Sequence, residues 1–77
     1  MATNSYYTVH LSSDNTLSIV DIRRNAVINR VKVRGVVTNG PVVLGDRCTV
    51  MIKDGSTGRG LVFKLPSGAI VDRFVVR

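Results

Sequence analysis

The residues of this 77-residue chain that could do polar chemistry are few and unevenly distributed. Eight Arg and three Lys face five Asp and one His, with no Glu and one Cys, for a formal charge of +6. General acid–base work needs paired, pKa-tuned groups. Asp14, Asp21, Asp46, Asp54 and Asp72 all stand at or near expected turns, and no two of them form such a pair. His10 lies alone in a strand-like run. Cys48 opens an apolar run, where a buried and inert thiol is the expectation. His10 and Cys48 are also the only imidazole and thiol ligands, so neither a zinc site nor another metal or cofactor is expected. Gly58-Arg59-Gly60, following Asp54-Gly55-Ser56-Thr57, has the look of a phosphate loop, but no helix follows to supply a dipole. A mobile hairpin loop is expected there. No catalytic residue is assigned, and a non-enzymatic protein is expected.

The basic residues carry the stronger signal. Period-two alternation places Arg30, Lys32 and Arg34 on one face of a strand with Ile28, and Val27, Val31 and Val33 on the other. Arg73 and Arg77 recur near the C-terminus, with Val75 where the lysine would be. Such a row can grip phosphates or carboxylates, or it can simply deter edge-to-edge aggregation. Arg23-Arg24 sits in a turn and reads as solvated. Single-strand nucleic-acid binding wants aromatic platforms beside the cations. Tyr6 and Tyr7 lie in a different strand, and Phe63 and Phe74 fit apolar core positions. With no Trp, a sugar-stacking role is disfavoured too.

The elements that must position these groups are strands. Val and Ile dominate the apolar residues and suit a pleated surface. Turn residues divide the chain into Tyr6–Leu11, Thr16–Ile22, Ala26–Arg34, Pro41–Leu44, Cys48–Lys53, Gly60–Leu65 and Ala69–Arg77, with Gly35–Asn39 as a connection and Asp54–Gly58 as a loop. That is about seven strands and no helix. No apolar run approaches the roughly 20 residues needed to cross a bilayer. Met1–Ser5 lacks the basic-then-apolar pattern of a signal peptide; it is expected to be flexible or to donate a strand.

The chain also repeats itself. At a shift of 43 positions Ser18–Arg34 falls on Leu61–Arg77 without a gap. Ala26 meets Ala69, Arg30 meets Arg73, Val33 meets Val76, and Asn25 meets Gly68, two residues that tolerate positive φ. Upstream, Val9 meets Ile52. A period near 43 with about four short strands is the spacing of a β-propeller blade. Asn15-Thr16-Leu17-Ser18-Ile19-Val20-Asp21-Ile22, the turn Arg23-Arg24-Asn25 and Ala26-Val27-Ile28-Asn29-Arg30-Val31-Lys32-Val33 together resemble a YVTN-type propeller repeat. That family writes an Asn-Thr-Val-Ser-Val-Ile-Asp strand, a polar turn ending in Asn, and a strand running into Gly. Gly35 and Pro41 stand roughly where the family has its Gly and Pro. Gly60–Arg77 is a looser copy with Lys64 in place of Asp, and Tyr6-Tyr7-Thr8 only partly echoes the name-giving motif.

The resemblance implies one all-β domain over residues 1–77, made of two propeller-like blades of three to four short antiparallel strands, at about 6–34 and 41–77. The first blade should lack its innermost strand. Two blades leave apolar faces uncovered, with Val27, Val31, Val33, Ile70, Phe74 and Val76 as the core or oligomer faces. Because a chain this short buries only about 60% of its unfolded surface, completion by oligomerisation or a partner chain is expected. A trimer is favoured over a tetramer, with subunit status in a larger complex as the other route. The outer strands would form a basic rim of Arg30, Lys32, Arg34, Arg73 and Arg77 for an acidic protein surface or nucleic acid. A structural role in the cytoplasm or in an assembled particle such as a phage virion or tail suits this size and charge. The alternative is a small basic barrel of Sm or OB type that binds nucleic acid.

Overall fold

The computed structural model describes residues 2, 3 and 6–76, with side chains for 6–75. Every regular element is a β-strand: β1 (Ala2–Thr3), β2 (Tyr7–Leu11), β3 (Thr16–Asp21), β4 (Ala26–Lys32), β5 (Val36–Leu44), β6 (Arg47–Asp54), β7 (Thr57–Lys64) and β8 (Ile70–Val76). They form two antiparallel sheets in sequential order, β1-β2-β3-β4 and β5-β6-β7-β8. Since β4 does not pair with β5, nor β1 with β8, the strands do not close into one barrel.

The expected duplication has a structural counterpart, strand for strand. In the first sheet the register slips between Ile19 and Val20, which face Asn29 and Val27 on β4; in the second it slips between Val62 and Phe63, which face Asp72 and Ile70 on β8. All four pairs of positions differ by 43. The bulge, one extra residue that bends the strand, is therefore repeated with the sequence. The backbone bond from Ile22 N to Tyr6 O (2.9 Å) likewise has its copy from Leu65 N to Asp46 O (2.6 Å).

Five expectations need correction. The first sheet does have an inner strand, although β1 contributes only the pairs Ala2↔Val9 and Thr3↔Thr8; Met1, Asn4 and Ser5 lie outside the described residues. Gly35–Asn39 and Pro41–Leu44 are not connection and strand but one strand, β5, so the second sheet starts at Val36 rather than near 41. Proline is tolerated because β5 is an edge strand, where a missing N–H breaks no inner ladder. The Asp54–Gly58 loop is only a two-residue tip, since Asp54 pairs with Thr57, and Gly58-Arg59-Gly60 is strand. The β2–β3 hairpin is three residues shorter than its counterpart, which makes Thr49 rather than Ile52 the structural equivalent of Val9: Val9 pairs with Ile19, and Thr49 with Val62. Finally, the bulge turns Val27 to the face of Arg30, because Val27 pairs with Val20 and Arg30 with Ser18; simple alternation had put it with Val31 and Val33.

The core lies between the sheets. The first sheet contributes buried Val9, Leu17, Ile19 and Val33; the second contributes Cys48, Val50, Ile52, Phe63 and Leu65. Each such side chain gains about 1.5–3 kcal/mol on burial. Residues paired across an antiparallel ladder share a face, and that fixes a property of the packing. In the repeat, Leu17 and Ile19 correspond to Gly60 and Val62, yet the second sheet turns Leu61 and Phe63 inward, one residue along. The two copies thus present opposite faces to each other. They are stacked front to back, like successive cards, rather than face to face.

Candidate anion-binding cleft

The sheet backbones come closest where β5 lies beside β1 and β2. On the outer side, the end of β4 and strand β8 stand apart around a cleft of about 450 Å³. Its floor is apolar: Val33, Ile52, Leu61, Phe63 and Ile70. Its walls are cationic. Lys32 and Arg34 enter where the chain leaves β4, Arg59 comes from β7 and Arg73 from β8, with Asp54 the single carboxylate among the described residues. All four cations are exposed. Ion pairs among the described residues join Arg23 and Arg24 to Asp21 and Arg47 to Asp46, and none involves these four. Three guanidinium groups beside an ammonium, over a hydrophobic floor, suit a carboxylate or phosphate that can be held by forked, charge-assisted hydrogen bonds.

The expected basic rim is therefore partly gathered. Lys32, Arg34 and Arg73 share the cleft. Arg30 does not line it: it stands further back on β4, paired with Ser18, whereas Lys32 is the last residue of that strand. Arg77 lies outside the described residues. Arg59 went unrecognised because its glycine neighbours suggested a loop. Counting back in twos from Phe63 through Leu61 reaches it, and that parity was the available signal. If the cleft is an anion site, replacing Arg59 and Arg73 together by Ala should lower affinity for polyphosphate about tenfold or more, since hydrogen bonds to charged groups contribute about 1.5–3 kcal/mol each. Arg30→Ala should change it little. Equal losses from both, read by titration at fixed salt, would reduce the effect to net charge.

The apolar positions also separate. Val33 is buried and Val31 packs against the core. Val27, Ile70 and Phe74 are 43%, 44% and 43% exposed, and the Val76 side chain is not described. Phe74 is not a core residue of the chain: it projects from the outward face of the second sheet, its ring over Gly60, where a Cβ would stand 2.1 Å from Cζ.

The remaining chemistry-bearing residues are apart from the cleft. Cys48 is 1% exposed, and burial pushes its thiol up to about 11, so it carries no appreciable thiolate near neutral pH. His10 is exposed on β2, opposite Ser18. Asp14 is held below its ordinary value by the Ser12 hydroxyl and then by Thr16, which makes it part of the β2–β3 turn. Asp21 is buried and accepts the backbone N–H groups of Arg23 (3.0 Å) and Arg24 (3.2 Å), which shapes the β3–β4 turn. Among the described residues, no group of three or more His, Cys, Asp or Glu could hold a metal ion, and no helix is long and apolar enough to cross a membrane. Comparison with known proteins adds no family to this geometry: no family model matches the chain, and neither a curated protein nor a solved structure matches it significantly.

Proposed function

We propose that the chain is a non-enzymatic assembly module: two propeller-like blades that close a ring by head-to-tail association with further copies, and present a basic cleft to an acidic partner. The front-to-back stacking of the two repeats carries this reading. A face-to-face sandwich would consume the same face of both copies and leave nothing to extend. Front-to-back stacking leaves one face of each kind free, the outward face of the first sheet and the opposite face of the second. These are the two halves of a contact the chain already makes once internally.

A heterologous contact of this kind closes into a ring when its rotation divides the circle. Three chains would give six blades and four would give eight. The outward faces also have something to gain from cover: Ile22, Val27, Val42, Leu44 and Phe74 are all 43% exposed or more. The small-barrel reading keeps the charge in its favour but lacks the single closed sheet it requires.

Sedimentation velocity over a wide concentration range tests the proposal. The expected result is a discrete species at three times the 8.4 kDa chain mass, or at four times. A compact monomer at every concentration would overturn it.

A further inference from the structure

We infer that the copies join through one polar contact, with Asp72 of one chain meeting the Arg23-Arg24 turn of the next. This rests on the ring reading above and names the chemistry of its junction. Inside the chain, one polar contact between the repeats is made where the turn between β7 and β8 sits on β4. Asn29, at the bulge, accepts the N–H of Arg30 through Oδ1 at 2.9 Å. Its Nδ2 then donates to the carbonyls of Pro66 (3.4 Å) and Ser67. The second repeat holds Asp72 in the same way, Oδ1 accepting the N–H of Arg73 at 2.8 Å.

What differs is the outward atom. Where Asn29 offers an amide N–H, Asp72 offers a carboxylate oxygen, which only accepts. A carbonyl of the facing turn can no longer be its partner; a donor is required. The turn that would face Asp72 in a second copy stands 43 positions before Pro66 and Ser67, and its residues there are Arg23 and Arg24. Donor and acceptor have exchanged sides together, so the junction is charge-complementary where the internal contact is neutral.

The two arginines are placed to reach. Their side chains are 64% and 78% exposed, with Nε at 3.9 Å and 3.8 Å from the Asp21 carboxylate. Arg23 also lies 4.8 Å over the Tyr6 ring. These contacts steady the bases of the side chains, and each guanidinium carries five donors in all. Around the pair, Phe74 takes the place that Val31 has internally, and Ile22 that of Leu65; both are exposed in the single chain.

The experiment is sedimentation velocity on the full chain and its charge variants, with far-UV circular dichroism to confirm folding. D72R should weaken self-association at least about tenfold, because juxtaposed like charges are strongly disfavoured at an interface. R23D with R24D should do the same, and the chain carrying all three should recover association. If D72R does not fold, D72N serves, since it reproduces the chemistry of Asn29 at the equivalent position; it too should weaken association. A monomeric wild type would remove the ring and this contact together. A wild type that assembles, with D72R or D72N assembling equally well, would overturn the Asp72–arginine contact alone, as would a triple variant that fails to recover.

Discussion

Phe63→Ala should leave the chain without a cooperative unfolding transition at room temperature. Phe63 is 2% exposed and stands at the centre of the inter-sheet core against Val9, Leu17, Ile19, Cys48 and Leu65. Truncating a buried phenylalanine costs about 3–5 kcal/mol in lost transfer energy and cavity formation. A domain of this length commands only about 4–12 kcal/mol in total, and short chains fall toward the lower end. The change also strikes the one interface that joins the two repeats, so neither sheet keeps a covered face. Phe74→Ala is the internal comparison. It removes a ring that is 43% exposed and lies over Gly60, so it should cost the single chain much less while weakening association between chains. Urea unfolding followed by circular dichroism, together with sedimentation, separates the two. Equal destabilisation by both substitutions would mean that the core is not where the sheets meet.

Gly68→Ala should destabilise the chain by about 2–5 kcal/mol, roughly twice as much as Asn25→Ala. The two positions correspond in the repeat and share a left-handed backbone, with φ of +78° and +52°. Alanine in that conformation costs about 1–2 kcal/mol at either site. At Gly68 a second cost is added. A Cβ there would stand 2.6 Å from Val31 Cγ2, with Ile19 Cδ1 at 3.6 Å and the Asn29 amide at 3.7 Å. Val31 is β-branched and stiff at χ1, so relief requires the β7–β8 turn to lift off the first sheet, an overpacking cost of about 1–3 kcal/mol. Asn25 is exposed and already carries a Cβ, so Asn25→Ala adds no atom that must be accommodated. The difference between the two variants, from urea midpoints at unchanged slope, therefore isolates the inter-sheet contact. Equal losses would mean that the turn does not seat on β4.

Much of the secondary structure was legible, and the reason is local. Alternation of Val and Ile with polar residues, broken by Asn and Gly at turns, depends on neighbours two to four residues away. Accordingly β2, β3, β4 and β8 fall within about two residues of their expected bounds. The errors came where local signals conflict. Gly40-Pro41 looked like an interruption, and only the edge position of β5 lets the strand run through it. Gly58 and Gly60 suggested a loop, whereas Gly60 is buried under Phe74. The extra residue of the bulge moved Val27 across the sheet, an event that strict alternation cannot register.

The cleft was half visible. Lys32, Arg34 and Arg73 stood out by charge, but nothing in a linear pattern brings the end of β4 to strand β8, or separates Arg30 from its neighbours two and four positions on. That depends on how the sheets splay.

By itself the sequence determined that this chain folds as strands, that it does so twice, and where most of its turns fall. These follow from side-chain shape and from backbone conformations that Gly and Asn tolerate. Only the tertiary structure decided which face of each copy is inside. Both faces of the repeat carry apolar residues, so alternation is satisfied either way. Val20 and Phe63 occupy the same position in the two copies, yet one is half-buried on an outward face and the other sits in the core; Val31 and Phe74 show the reverse. Burial is settled by what packs opposite, and for a duplicated sheet that partner is the other copy, turned so that its unlike face looks back.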